Sequence, residues 1–313
     1  MAQLREALAN LLNSMAQGAP PTAVELTLFS DLEAGALALV RERWEEVPPP
    51  VRRSSFARAK ELAEDSVELH FEAFARLGLD DSDPAARIAA MGALAESVDR
   101  RVATRLGELV RTDADETVRA AAATALTPFV LLRELGEFDP RVGDSIVLAL
   151  RAAASEAEPS ILVRSRAVEA IGPRLLEWVE TLISDAYYHE DREMRLAAIR
   201  AIGASAQEHW LDFLEEQAQS EDPEFRLEAA NAIGALASED GMETLGALLA
   251  DEDAEVVLAA LVALGDLGGD VAVEMLEQFL RSAEGPAADA AREALEEARF
   301  ADSNDLMREK VGL

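Results

Sequence analysis

Apolar and small residues recur along this chain at a fixed step. Glu193-Met-Arg-Leu-Ala-Ala-Ile-Arg-Ala-Ile-Gly203 is followed by Glu224-Phe-Arg-Leu-Glu-Ala-Ala-Asn-Ala-Ile-Gly234 and by Glu255-Val-Val-Leu-Ala-Ala-Leu-Val-Ala-Leu-Gly265. The shared position, held by Arg195, Arg226 and Val257, advances by 31 residues each time, and Arg164 in RSRAVEAIG stands one step upstream. Arg119 in VRAAAATAL and Arg87 in ARIAAMGAL carry the same pattern 32 residues apart. Between Arg119 and Arg164 the step stretches to 45, the extra residues falling in PFVLLRELGEFDP, and a weaker copy at 288–295 lacks the arginine. Self-similarity at such a period marks a repeat array.

Within each copy the spacing predicts two helices. Asp83-Pro84, Asp222-Pro223 and Glu158-Pro159 read as openings of the first helix: the acid accepts free N–H groups, and proline loses nothing by lacking its own. Alanines after the arginine allow close approach of neighbouring helices, and Gly172, Gly203, Gly234 and Gly265 are expected to end or relax the helix. The second helix carries an apolar stripe, as in Leu211, Leu214 and Ala218 or Leu245, Leu248 and Leu249. Trp44 aligns with Leu37 and Val40, Trp178 with Leu175 and Leu182, and Trp210 sits a turn before Leu214, so packing is the expected role of all three. One pair could not bury its face alone; stacked pairs share one core. The expected layout is a capping helix over 1–21, the array over 22–299 with an insertion near 128–140, and a fraying polar tail over 300–313.

Composition narrows the chemistry. Half the chain is apolar but only 5% is aromatic, which favours closely packed helices over strands. With 29 basic and 61 acidic residues the net charge is −32, which argues against nucleic acid as a partner, since binding a phosphate backbone needs excess Lys and Arg. The absence of cysteine excludes disulfides, thiolate-ligated metals and thiol catalysis. No apolar run approaches the ~18 residues of a membrane span; the best, at 256–265, is too short. At the N-terminus, Glu6, Asn10, Asn13 and Ser14 interrupt any signal-peptide core, so a cytoplasmic location is expected.

Candidate metal and catalytic groups are few. Asp80, Asp81 and Asp83 lie close together, as do Asp251, Glu252 and Asp253, yet a calcium loop counted from Asp81 would need Gly and Glu where the chain has Ala86 and Gly92. Helix capping explains these acids better. His70 and His209 are isolated, and His189-Glu190 is a single pair in a turn, so no metal centre is expected. No nucleophile elbow or phosphate-binding loop occurs. The cluster Tyr187-Tyr188-His189 at a helix exit admits both packing and a functional contact.

The repeat and its caps resemble the HEAT-repeat family, including the short bacterial variety sometimes called phycobilisome-lyase-like, over 22–299. LFSDLEAGALALVRERWEEVPPPVRR and ELAEDSVELHFEAFARLGLDDSDPAAR also look like the opening of a group of bacterial HEAT proteins. The resemblance implies an all-α fold, a right-handed α-α superhelix of the HEAT/armadillo solenoid type. It also implies second helices lining a concave side that serves as a binding surface.

Charge then points to one end of the chain. Residues 201–313 hold 6 basic and 27 acidic residues, a net −21, against −11 for 1–200. Glu208, Asp212 and Glu215 fall at i, i+4 and i+7 on one second helix; Asp270, Glu274 and Glu277 repeat the arrangement, and an earlier second helix carries Glu177 and Glu180. Such stripes serve solubility in any array; they also suit a basic protein partner. The expectation is a non-enzymatic protein-interaction scaffold or adaptor that uses the concave face, with these eight carboxylates as candidate partner-binding residues, as a cradle for a basic partner or only as a solvated face, and without cofactor, metal or catalytic residues. The phycobilisome-lyase-like resemblance implies an alternative, action on a tetrapyrrole-bearing client, although a chain without cysteine cannot form a thioether intermediate itself.

Overall fold

The computed structural model describes residues 2–311, with side chains over 3–300. Its regular structure is helical throughout, and no strand occurs among the described residues. The chain divides into two compact units, Met1–Ile171 and Gly172–Leu313. The first contains α1 (Ala2–Ala16), α2 (Ala23–Leu26), α3 (Ala34–Arg43), α4 (Pro49–Asp65), α5 (Glu72–Gly78), α6 (Pro84–Gly92), α7 (Arg100–Thr112), α8 (Glu116–Ala125), α9 (Thr127–Glu134), α10 (Pro140–Ala153) and α11 (Ile161–Ile171). The second contains α12 (Glu177–Tyr187), α13 (Arg192–Ser205), α14 (Leu211–Gln217), α15 (Pro223–Leu236), α16 (Met242–Leu248), α17 (Ala254–Leu267), α18 (Gly269–Leu280) and α19 (Pro286–Val311). The tail expected over 300–313 ends outside the described residues; the backbone of α19 is helical to Val311.

Each unit is a stack of helix pairs. In the first, the arginine-bearing helices α6, α8 and α11 pack in succession behind α4, while α7 packs on α10. The residues that lengthen the step after Arg119 include α9, which lies against α10 and α11. In the second, α13, α15, α17 and α19 form one succession, with α14, α16 and α18 as their partners. The fold class is the all-α HEAT-type helical repeat.

Capping opens the first helices, with one correction. Asp83, Asp115, Asp191, Asp222 and Asp253 are N-caps whose carboxylates accept backbone N–H groups of the first turn. Glu158-Pro159 does not cap: α11 begins at Ile161, and Glu158 accepts instead from the Ser160 N–H at 3.1 Å. Pro159 and Ser160 stand between the acid and the helix and leave Glu158 in the turn.

The second correction concerns glycine. Gly203, Gly234 and Gly265 lie inside α13, α15 and α17 rather than ending them. They mark where successive first helices touch backbone to backbone. A Cβ on Gly172 would stand 2.7 Å from the Ala201 carbonyl, on Gly234 2.7 Å from the Ala263 Cβ, and on Gly203 and Gly265 3.0 Å from the Cα of Ala232 and Ala294. The chain turns instead at Ala206 and Ala237, whose φ of 50° and 53° are left-handed.

The cores are largely aliphatic, and the first unit has an aromatic focus. Phe29, Trp44, Phe56 and Phe74 meet with centroids 4.5–6.3 Å apart, and the Trp44 indole N–H donates to Asp81 at 2.8 Å. On α12 the buried stripe is Val179, Ile183 and Ala186, with Leu175 53% exposed. The buried stripe is thus one residue on from that expected through Leu175, Trp178 and Leu182: Leu175 lies before the helix, which starts at Glu177, and Trp178 and Leu182 are half-buried beside the stripe.

Candidate functional site

The repeat arginines come first, because they fix the turns on which everything else is mounted. Arg87 donates to the carbonyls of Asp81 and Ser82 in the turn before its own helix, and its other terminal nitrogen reaches the Asp113 carboxylate of the next turn at 2.8 Å. Arg119 does the same to Asp113 and Ala114, then to Glu158 at 2.8 Å. Arg226 holds Ser220 and Glu221, then Asp251 through two bonds of 2.7 and 2.8 Å. Arg52, 2% exposed on α4, opens the series by pairing with Asp81 at 3.0 Å. The acids in turn accept the N–H of the cap residue, Asp81 from Asp83 and Asp251 from Asp253. These hydrogen bonds from arginine hold the Asp251 carboxyl below the usual carboxylate range. The acidic turns weighed as calcium loops are thus engaged as caps and as arginine partners.

Where the acid is missing, other groups stand in. His189 accepts the Asp191 N–H through Nδ1 at 2.9 Å, and Ser220 accepts from Asp222. Arg195 holds its own turn through His189 and Glu190, but the next turn offers only Ser220; its guanidinium lies 5.5 Å from the Phe225 ring centre.

The eight predicted carboxylates all fall in the second unit, on the first turns or faces of second helices. Glu177 and Glu180 are on α12, Glu208 is in the 3-10 turn Glu208–Trp210, Asp212 and Glu215 are on α14, and Asp270, Glu274 and Glu277 are on α18. Glu180 and Glu215 are half-buried and the other six are exposed. Two are engaged: Glu215 accepts from the Thr244 hydroxyl at 3.1 Å and Glu277 pairs with Arg299 at 2.6 Å. Glu208 does not continue the α14 face, because the turn before Leu211 is a tighter 3-10 helix.

Two further carboxylates belong with them. Glu239 and Glu243, both exposed, stand 31 residues after Glu208 and Asp212 and 31 before Asp270 and Glu274. The acids therefore form columns: Glu177, Glu208, Glu239 and Asp270 in one, Asp212, Glu243 and Glu274 in another. The signal was present in the sequence, in the same step that the arginines follow. Successive second helices touch, through Tyr187 to Phe213 and Glu216, Thr244 to Glu215, and Gly246 against Met275. The columns are thereby carried on neighbouring elements. First-turn acids favour a helix N-terminus through its dipole; Glu274, in the middle of α18, has no such role.

The Tyr187-Tyr188-His189 cluster splits three ways. Tyr187 is buried, its hydroxyl placed among Phe213 O, Glu216 Oε2 and Gln217 Nε2, and burial pushes its phenol up to about 12. His189 is the turn acceptor described above. Tyr188 is 70% exposed. In the first unit, a cleft of about 880 Å³ is bordered by Lys60, Leu69, His70, Arg76 and Leu94; none of the predicted residues reaches it. No helix is long and apolar enough to cross a membrane among the described residues.

Residues 211–296 match the family model of HEAT repeats. Among solved structures, the chain is similar to YibA of E. coli, at 17% identity over 75% of this chain and 96% of that one, with a TM-score of 0.43. It is also similar to human deoxyhypusine hydroxylase in complex with glycerol, at 18% identity over 96% and 98%, with a TM-score of 0.36. A third is the karyopherin Kap121p bound to the SUMO protease Ulp1p, at 14% identity over 98% of this chain and 43% of that one, with a TM-score of 0.41. No curated protein matches the chain.

Proposed function

We propose that this chain is a non-enzymatic protein-interaction module whose second helices over 177–280 present an acidic surface to a basic protein partner. The observation that carries this reading is the repetition of exposed carboxylates at the 31-residue step on helices that touch one another. Glu208, Asp212, Glu239, Glu243, Asp270 and Glu274 have neither a cation nor a hydrogen-bond donor of this chain on their side chains among the described residues. Like charges kept side by side on successive elements repel one another, at a cost that a cationic partner would relieve.

The test is capture on the immobilised chain at low salt and at ~0.5 M salt, where exposed charge contacts are screened. The wild type is compared with the triple variant Asp212→Lys, Glu243→Lys, Glu274→Lys, with helical circular dichroism as the folding control. A discrete basic protein, retained at low salt, released by high salt and not captured by the variant, is the expected outcome. Equal capture by the variant would remove the acidic surface from the function.

A further inference from the structure

Tyr188 has the most exposed aromatic ring among the described Phe, Tyr and Trp residues, at 70%. It is not alone: its ring centre lies 5.1 Å from Tyr187, edge to face, and 6.5 Å from Phe213 at an interplanar angle of 66°. Phe213 in turn is braced by Trp210 at 5.1 Å. Two rings set at a steep angle, backed by buried rings, make a rigid corner on the edge between the end of α12 and α14. Glu216 is at this corner, because its Oε2 lies 3.1 Å from the Tyr187 hydroxyl, and it stands one turn after Phe213 and Asp212 on α14. Asp185 precedes Tyr188 by three residues on α12. These carboxylates have no cation of this chain on them among the described residues.

Aromatic faces beside an unneutralised carboxylate are the elements of a cation seat. The same chain fills such a position itself one helix further on, where Arg192 and Arg195 each lie 5.5 Å from the Phe225 ring centre. At Tyr188 and Phe213 the rings are present and no guanidinium of this chain lies over them among the described residues.

We propose that Tyr188, Phe213 and Glu216 form the seat for an arginine side chain of the protein partner. The inference rests on the basic-partner reading above and names the anchor within it. Arginine fits better than lysine, because a planar guanidinium stacks on a ring while its fork donates two hydrogen bonds to a carboxylate, and a hydrated ammonium does neither.

The experiment measures binding of hexa-arginine and hexa-lysine peptides to the full chain at matched ionic strength. The wild type is expected to prefer hexa-arginine by roughly three- to tenfold, the range of an exposed cation–π contact with its carboxylate. Tyr188→Ala should erase the preference, Tyr188→Phe should keep it because the ring face and not the hydroxyl is used, and Glu216→Gln should reduce it. Equal binding of the two peptides by the wild type, or a preference that survives Tyr188→Ala, overturns the seat. The triple column variant separates the two readings: if it weakens both peptides alike while Tyr188→Ala changes nothing, the acidic surface stands without the seat. If the wild type binds neither peptide, both fall.

Discussion

At Gly234 the distance between two helices is set by a hydrogen atom. The neighbouring helix brings the Ala263 Cβ to 2.7 Å and its Cα to 3.1 Å of where a side chain would begin. Gly234→Ala should therefore lower the stability of the second unit by about 1–3 kcal/mol in urea unfolding, as overpacking does. Gly35→Ala, with nothing within 4 Å, should leave stability unchanged or raise it by up to about 1 kcal/mol through the lost flexibility of glycine. An equal loss at both positions would mean that the close contact is not what Gly234 is for. The sequence shows the glycine period plainly and hides its meaning. A glycine late in an alanine-rich run looks the same whether it ends a helix or admits a neighbouring backbone. The residues that adopt left-handed φ after α13 and α15, Ala206 and Ala237, belong to a type that no turn pattern singles out.

Elements are joined by arginine, and here charge and geometry can be separated by pH. Asp251 is held below its ordinary pKa, first by the Arg226 hydrogen bond. A carboxyl with a lowered folded-state pKa contributes stability above its unfolded value, and that contribution is lost as pH falls through the folded one. Asp251→Asn should cost about 1–3 kcal/mol at pH 7. The difference from wild type should shrink below about pH 4, the ordinary aspartate range, and disappear in strong acid. A difference that stays constant with pH would reduce the pair to packing. Asp99 is a second such group, held at about 2 by the hydrogen bond from Arg101. The arginine spacing is legible in the sequence, whereas its partners are not. From arginine to acid the separation is 26 residues for Arg87, 39 for Arg119 and 25 for Arg226. It varies because the chain runs through a second helix of variable length, and through α9 as well after Arg119, before it returns. A fixed-period reading sees the acids only as caps.

For the whole chain, the net charge of −32 decides the sign of the salt effect. Screening weakens the surface ion pairs by little, since exposed pairs contribute about 0–1 kcal/mol each, while it relieves repulsion across an excess of 32 negative charges. Thermal unfolding should therefore shift upward between 20 and ~200 mM NaCl, over which the Debye length falls from roughly 20 to below 10 Å. A fall in the midpoint would show that the pairs outweigh the repulsion. The fold class could be read from the repeat alone. The candidate surface could be read only in part: a helical-face argument finds Asp212 and Glu274, and misses Glu239 and Glu243 because each second helix is judged by itself. The Tyr187-Tyr188-His189 cluster stands out in the sequence, but sequence cannot tell which ring of the pair is buried.

The arginine bonds also have a direction. Arg87, Arg119 and Arg226 each grip the turn before their own helix and reach forward to the acid of the next turn. The repeats of Arg87 and Arg119 thus each offer an acid, Asp81 or Asp113, to the predecessor and an arginine to the successor. A copy of either repeat spliced after itself would meet a partner at both joints and leave no charge stranded. An assembly wired this way can be lengthened by in-frame duplication without first inventing a new interface.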